Sequence, residues 1–416
     1  MKSSVVKITI WGKTVGYIYW DESRKTSIFE YDKEFVSLGL EISPLNMPVQ
    51  SVRSKKGLPW YGDADKLYQG LPPMIADSLP DKWGNSIFNA WMRNNKVKNS
   101  EVTPIDKLSF IGSRAMGAFE YEPARQLGDN IPFDVNVESL YQFAKDVLNE
   151  REGVTLRSES SILWQDLIKV GGSPGGRVPK ALIAINTQNG DVKSGQANVP
   201  EGFAHYLLKY DSEGVYPYTK VEYIYYLMAT HAGIDMMPSE LRDFGSMTNF
   251  ITQRFDRIGN HKIHTQTLAA MMPEANDYDD LFTIIRQLNL PYKASEQQYL
   301  RMVFNVLSRN VDDHSKNFSF CMEENGQWSL SPAYDITYSI DNSAPAYVNK
   351  QSLFVNGKDA VIAKADLLEV AKRNDISDAT VHIERVTDAL SEFHVLAKEQ
   401  QISKDVSEMI EKELLR

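Results

Sequence analysis

The stretch Arg309-Asn310-Val311-Asp312-Asp313-His314-Ser315-Lys316-Asn317 crowds carboxylates, an imidazole, an ammonium group and amides into one short segment. These residue types suit proton transfer and the holding of a divalent cation better than ordinary packing. Asp312 and Asn317 stand in a D-x-x-x-x-N spacing, in which the Asp can receive a hydroxyl proton while the Asn holds magnesium. Asp335, in Pro332-Ala333-Tyr334-Asp335-Ile336, follows about where a second metal ligand would be needed. The chemistry open to such a set is phosphoryl transfer, and it requires a phosphate-binding half upstream.

A candidate for that half is Val170-Gly171-Gly172-Ser173-Pro174-Gly175-Gly176-Arg177-Val178-Pro179-Lys180, followed by the apolar run Ala181-Leu182-Ile183-Ala184-Ile185. Glycines let backbone amides approach phosphate oxygens and adopt positive φ without a Cβ penalty. No G-K-[ST] opens a helix after it, so it is not a Walker A loop. A glycine-rich turn between strands is how kinases cover ATP. Taken alone, the same turn also reads as a flexible hairpin.

These residues need elements to position them. An alternation of apolar and polar positions through Val6, Ile8 and Ile10, then Val15, Tyr17 and Tyr19, with a turn at Trp11-Gly12-Lys13-Thr14, predicts an opening hairpin. Prolines punctuate the next region, and Trp83, Ile87, Phe88 and Trp91 predict one face of a helix. A boundary is expected near Pro123 to Pro132, then an amphipathic helix from Val137 to Glu150. Buried strands are predicted at Ala181–Ile185, at Phe203–Lys209 and at Phe250–Phe255, with a helix from Val221 to Ala232 that carries Glu222. Beyond Asp256 the pattern is mainly helical, apart from short strands near Phe318–Cys321 and Trp328–Leu330. The expected fold class is α+β: a two-lobed, protein-kinase-like fold with a β-rich N-terminal region and a mainly helical C-terminal lobe. The expected domains are 1–125, 126–255 and 256–416.

Composition sets outer bounds. A chain of 416 residues with 42% apolar and 24% charged residues has the make-up of an ordinary globular protein with a real core. No run approaches the roughly 20 apolar residues of a membrane span. The N-terminus lacks the pattern of a signal peptide, and the single Cys321 excludes an intrachain disulfide and a cysteine-based zinc site. Both point to reducing cytoplasm. A net charge of −10 argues against nucleic-acid binding by the surface as a whole.

The glycine-rich turn, the strand ending in Lys209, Gln253-Arg254-Phe255-Asp256-Arg257, Asp312-x-His314-x-Lys316-Asn317-Phe318 and Ala333-Tyr334-Asp335-Ile336 occur in an order that resembles the HipA-family serine/threonine kinases. These are the toxin halves of bacterial HipBA toxin–antitoxin pairs. The opening hairpin, Leu79-Pro80-Asp81 and Leu108-Ser109-Phe110-Ile111-Gly112 resemble that family's N-terminal region, so the likeness covers nearly the whole chain.

The resemblance implies roles. Asp312 looks like the catalytic base, with Asn317 and Asp335 as magnesium ligands. His314 and Lys316 would support the loop or contact phosphate. Lys209 looks like the strand lysine on the ATP phosphates, oriented by Glu222, and Gln253-Arg254-Phe255 like the hinge whose backbone meets adenine. In the turn, Gly172, Ser173, Gly175 and Gly176 would cover nucleotide. Lys180 is either a second phosphate contact or a solvated residue. Some members carry a self-phosphorylated serine at this turn; here Lys169 takes the pre-turn position and Ser173 lies inside, which makes Ser173 the autophosphorylation candidate. The implied cofactors are ATP and Mg²⁺. The implied partners are a HipB-like helix-turn-helix antitoxin, operator DNA mainly through it, and a protein Ser/Thr acceptor such as an aminoacyl-tRNA synthetase.

Each role has a rival. A strand-end lysine followed by a helical glutamate is often only an ion pair, and Asp256 and Arg257 could simply brace the helical half. Buried carboxylates are costly without a cation or base, so Asp312, Asn317 and Asp335 are expected to form a buried functional cluster. A metallohydrolase using Asp312, Asp313 and His314 is a weaker reading, because adjacent side chains fan out to different sides. A non-catalytic corepressor that rides on the antitoxin, or a kinase for a small-molecule acceptor, are the remaining alternatives.

Overall fold

The computed structural model describes residues 5–55, 59–80, 82–94, 102–124, 133–142, 179–195, 198–211, 216–341, 343, 345 and 349–415. Gly172, Ser173, Gly175 and Gly176, and most of the helix expected after Val137, lie outside the described residues. The chain divides into two compact units. The first comprises 1–210, 243–266 and 322–327, and the second 211–242, 267–321 and 328–416.

The first unit opens with the expected hairpin. Strands β1 (Val5–Ile10) and β2 (Lys13–Asp21) pair through Ile10↔Lys13. Trp11 and Gly12 both take positive φ, 48° and 74°, the turn whose twist matches that of two antiparallel strands. With β3 (Thr26–Tyr31), β4 (Trp60–Tyr61) and β5 (Phe119–Glu122) they form a sheet in the order β4-β3-β2-β1-β5. Val6, Ile8 and Ile10 are fully buried, as the alternation requires. Helices α1 (Lys33–Leu38), α2 (Val49–Lys55), α3 (Pro73–Ala76), α4 (Lys82–Asn94) and α5 (Pro104–Ile111) belong to the same unit. α5 starts where Thr103 and Asp106 close a reciprocal capping box and Pro104 takes the first turn.

The second sheet of this unit carries the candidate phosphate lysines. β6 (Lys180–Asn186), β7 (Val192–Ser194), β8 (Phe203–Lys209) and β10 (Met247–Gln253) run in the order β7-β6-β8-β10, and β9 (Ser239–Phe244) precedes β10. Ala181 to Ile185 are all buried, and on one face Ala181, Ile183 and Ile185 share an apolar cluster with Trp83, Ile87 and Phe88 of α4 and Val137, Leu140 and Tyr141 of the 137–142 segment. Two short strands, β11 (Arg257–Ile258) and β12 (His261–Lys262), then pair with each other, and β13 (His264–Thr267) follows.

The second unit is mostly helical. α6 (Tyr218–His231), α7 (Leu268–Met271), α8 (Tyr278–Gln287) and α9 (Tyr292–Leu307) precede the candidate catalytic segment. A hairpin of β14 (Ser319–Met322) and β15 (Trp328–Leu330) comes next. α10 (Lys364–Arg373), α11 (Ala379–Ser391), α12 (Phe393–Glu399) and α13 (Lys404–Glu411) close the chain. α9 is buried on nearly every side from Gln297 to Val306, so it is the axis of this unit. Among the described residues no helix is long and apolar enough to cross a membrane.

Candidate functional site

In the second unit α9 ends at Leu307, Arg309 turns the chain at positive φ, and residues 310–318 run irregularly back toward β14. This is the crowded segment, and its shape is a hydrogen-bonded turn. The Asn317 side-chain amide donates to the Asp312 carbonyl oxygen at 2.7 Å, and the Asn317 backbone N–H donates to the His314 carbonyl at 2.8 Å. The Asn317 amide nitrogen is thus used within the turn, which leaves its Oδ1 as the atom suited to a cation.

Asp312 and Asp313 point to opposite sides. The Asp312 side chain is 66% exposed, with His314 Nε2 at 3.9 Å from Oδ1. The expectation that it belongs to a buried cluster is corrected here: Asp313 is the buried carboxylate, 1% exposed. The physical reason is the alternation of adjacent side chains in an extended segment, which can bury one of the two but not both. Burial pushes the Asp313 carboxyl up to about 7 although Tyr278 donates to it.

His314 is exposed, and its Nδ1 accepts the Lys316 backbone N–H at 3.2 Å. The Lys316 carbonyl accepts the Tyr334 hydroxyl at 2.8 Å, which ties the turn to the segment carrying Asp335. Asp335 itself sits at φ 53°, a left-handed conformation that costs an Asp on the order of 1 kcal/mol or more and persists only where surroundings enforce it. Asn317 and Asp335 line one recess, floored by Arg301 and Asn305 of α9. An amide oxygen and a carboxylate are hard donors of the kind magnesium takes together with water and phosphate oxygens. The residues therefore fit that ion. Glu222 lies buried on α6.

In the first unit the structure brings Lys180 and Lys209 together. They are cross-strand partners in the β6–β8 register, so their side chains emerge on the same face. Both are buried.

The Gln253-Arg254-Phe255 strip, expected as the hinge, lies at the end of β10. β10 ends at Gln253, and the Arg254 N–H donates to the His205 carbonyl at 2.9 Å. The Arg254 guanidinium is buried against Asp256, with contacts of 2.8 and 2.7 Å. Asp256 also accepts from Arg257 at 2.8 Å and from the Gly117 N–H at 2.8 Å, while Arg257 donates to the Gly117 and Ala115 carbonyls. This clamp fastens the loop before β5 to the segment after β10. Gly117 has φ +74°, and a Cβ there would meet Thr265 Oγ1 at 2.7 Å, so only glycine fits.

Two buried histidines near these strands are expected to make the first unit acid-sensitive. His205 Nδ1 contacts the Gly195 carbonyl and His264 Nε2 the Ile42 carbonyl, each at 2.9 Å. Burial, joined for His205 by the Arg254 charge, lowers both to about 4. Between their unfolded value near 6.5 and about 4 the unfolded chain binds more protons, so stability falls as pH falls through this window. Each histidine is expected to cost on the order of 3 kcal/mol by about pH 4. Urea midpoints from pH 7.5 to 4 check this, and replacing His264 by Gln should flatten the slope.

Sequence reasoning weighed Asp313 only as a metal ligand and missed Tyr278, Ser339 and Ser352; together these hold the loop from inside. Spacing along the chain carries no signal for them, since Tyr278 and Ser352 stand far from Asp313 in sequence.

Comparison with known proteins accords with this architecture. Residues 6–122 match the HipA N-terminal domain and residues 172–410 the HipA-like C-terminal domain. The HipA of Shewanella oneidensis MR-1, solved in a complex of a toxin–antitoxin system with HipB and operator DNA, superposes with a TM-score of 0.67 at 14% identity, over 98% of this chain and 94% of that one. The putative kinase Y4mE of Sinorhizobium fredii (strain NBRC 101917 / NGR234) is 24% identical over 155 residues, which is 33% of this chain and 36% of that protein's length. With both family domains matched in order across most of its length, the chain belongs to the HipA family.

Proposed function

We propose that the protein is an ATP- and magnesium-dependent phosphotransferase of the HipA type, acting on a serine or threonine hydroxyl of a cellular protein. The observation that carries this reading is the Asp312–Asn317 turn. It leaves one carboxylate exposed to an acceptor, orients an amide oxygen, and shares a recess between Asn317 and Asp335. Asp312 would orient the acceptor hydroxyl and take its proton. Asn317 and Asp335 would hold magnesium, whose chemistry when bound is to neutralise charge on the phosphate oxygens. Lys180 and Lys209 would meet those phosphates, with Glu222 as a counter-charge. Gln253 and Phe255 would supply backbone contacts to adenine, since the Arg254 N–H is already used. Catalysis then comes from positioning and electrostatics.

Such a chain would act in the cytoplasm beside a HipB-like helix-turn-helix antitoxin, with growth arrest following when antitoxin is scarce. The net charge of −10 supports contact with operator DNA mainly through that antitoxin. The domain division expected from sequence, 1–125, 126–255 and 256–416, assigns the nucleotide half to the middle segment and the catalytic loop to the last.

Intact mass before and after Mg-ATP tests the reading in its simplest form, with an Asp312→Ala chain as control. A gain of one phosphate in the wild type alone is the expected result. Failure to bind Mg-ATP would overturn it in favour of a non-catalytic binding protein. Ser173 is the proposed acceptor in self-phosphorylation, because a phosphate there adds roughly −1.5 to −2 charges where nucleotide phosphates belong. Ser173→Ala should abolish the gain. The same stoichiometry in that variant would exclude Ser173.

A further inference from the structure

Asp312 is too exposed to be held by its own side chain, so something else must fix where it stands. The adjacent residue does so by geometry. Asp313 points inward, where Oδ2 accepts the Tyr278 hydroxyl at 2.6 Å and Oδ1 accepts the Ser352 N–H at 2.6 Å. Tyr278 is fully buried, packs edge-on against Phe318, and takes a second hydrogen bond from Asn305 Nδ2 at 2.9 Å. Asn305 Oδ1 in turn accepts from Asn310 Nδ2 at 3.0 Å. The chain of contacts thus starts on α9, passes through α8 and ends one residue from the proposed base.

The backbone on the other side is gripped as well. Ser339 Oγ accepts the N–H groups of Val311 and Asp312 at 2.7 and 3.0 Å, and Ser352 Oγ donates to the Val311 carbonyl at 3.0 Å. Among the described residues, the hydrogen bonds that locate Asp312 are therefore made to its backbone or to its neighbours.

We infer that Asp313, with Tyr278 as its donor, is a positioning residue: it pegs the loop so that Asp312 meets the acceptor hydroxyl at a fixed place. The inference rests on the phosphotransferase reading of the same loop. A carboxylate is needed here because the groups hydrogen-bonded to it, among them the Tyr278 hydroxyl and the Ser352 N–H, are donors, and an amide can accept from one of these two only by turning its own N–H toward the other. A buried peg bonded to the first residue of α8 and to the Ser352 backbone resists displacement, and a base displaced by about 1 Å loses on the order of 100-fold in rate.

The test uses the full chain and the variants Tyr278→Phe and Asp313→Asn, read in two ways. Phosphate transfer is measured as kcat and KM for ATP. Hydrogen exchange is followed at the amides of Val311 and Asp312. The expected result is a kcat lower by about 10- to 100-fold with KM for ATP nearly unchanged, since the base acts in the transition state and not on bound nucleotide. Amide protection at both positions should fall in parallel. The double variant should lose little more than Asp313→Asn alone, because one contact is removed twice. Unchanged kcat, or unchanged protection of the two amides, overturns the positioning role while the kinase reading stands. A wild-type chain with no transfer to itself or to added protein overturns the reading, and the inference with it.

Discussion

Replacing Asp256 with alanine is expected to destabilise the first unit by about 3–5 kcal/mol, the cost of breaking a buried ion pair from one side. The carboxylate is 1% exposed and serves two guanidiniums and one backbone N–H. Without it, Arg254 and Arg257 remain buried as like charges with no counter-ion. Burial alone would push the Asp256 carboxyl up, but the Arg254 and Arg257 charges outweigh it and hold the group well below the usual carboxylate range. Its contribution is therefore present above the unfolded value near 4 and is lost as pH falls below that. Urea unfolding at pH 7.5 provides the measurement, with an unchanged m-value as the sign that only stability has moved. The same midpoint in the variant and the wild type would mean that the clamp carries no folding energy. Because the clamp joins residues 115–117 to residues 254–257, its loss should also loosen the loop before β5, where exchange of the Gly117 amide should rise.

The second large effect concerns chemistry and leaves the fold alone. Asp312→Ala should lower phosphate transfer by about 1,000-fold, the middle of the range for removal of a general base. Mg-ATP affinity should stay within about twofold, because the base acts on the acceptor. Melting should hardly shift, since the side chain is exposed and lies 3.9 Å from the His314 ring. Asp335→Ala is expected to behave in the opposite way and lose magnesium-dependent nucleotide binding itself. Calorimetric titration with ATP, with and without magnesium, separates the two variants. If both bind Mg-ATP and transfer phosphate like the wild type, the assigned roles are wrong. If Asp312→Ala loses binding as well, the base is part of the nucleotide site.

Local order was legible along the chain because it follows short-range spacing. The alternation through Val6, Ile8 and Ile10 and the turn at Trp11-Gly12 read directly as β1 and β2, and the face of Trp83, Ile87 and Phe88 as α4. The strand that ends in Lys209 is present, as are the short strands of the β14–β15 hairpin. The strand expected through Phe255 stops at Gln253, because the next residues bend into the Asp256 clamp. That clamp has no periodic signature: Asp256 meets Gly117 from 139 positions away.

The sequence by itself determined which chemical groups this protein has available. It supplied an acid, an amide and a second acid in fixed order, two lysines near strand ends, and a family likeness spread over the whole chain. Tertiary structure alone decided which of two adjacent carboxylates faces outward, which lysine stands opposite which, and that Arg254 serves Asp256. The physical reason is that residue spacing controls only neighbours within a turn or a pleat. Sheet register and the burial of α9 choose partners across long separations, and the cost of an unpaired buried charge makes those choices strict.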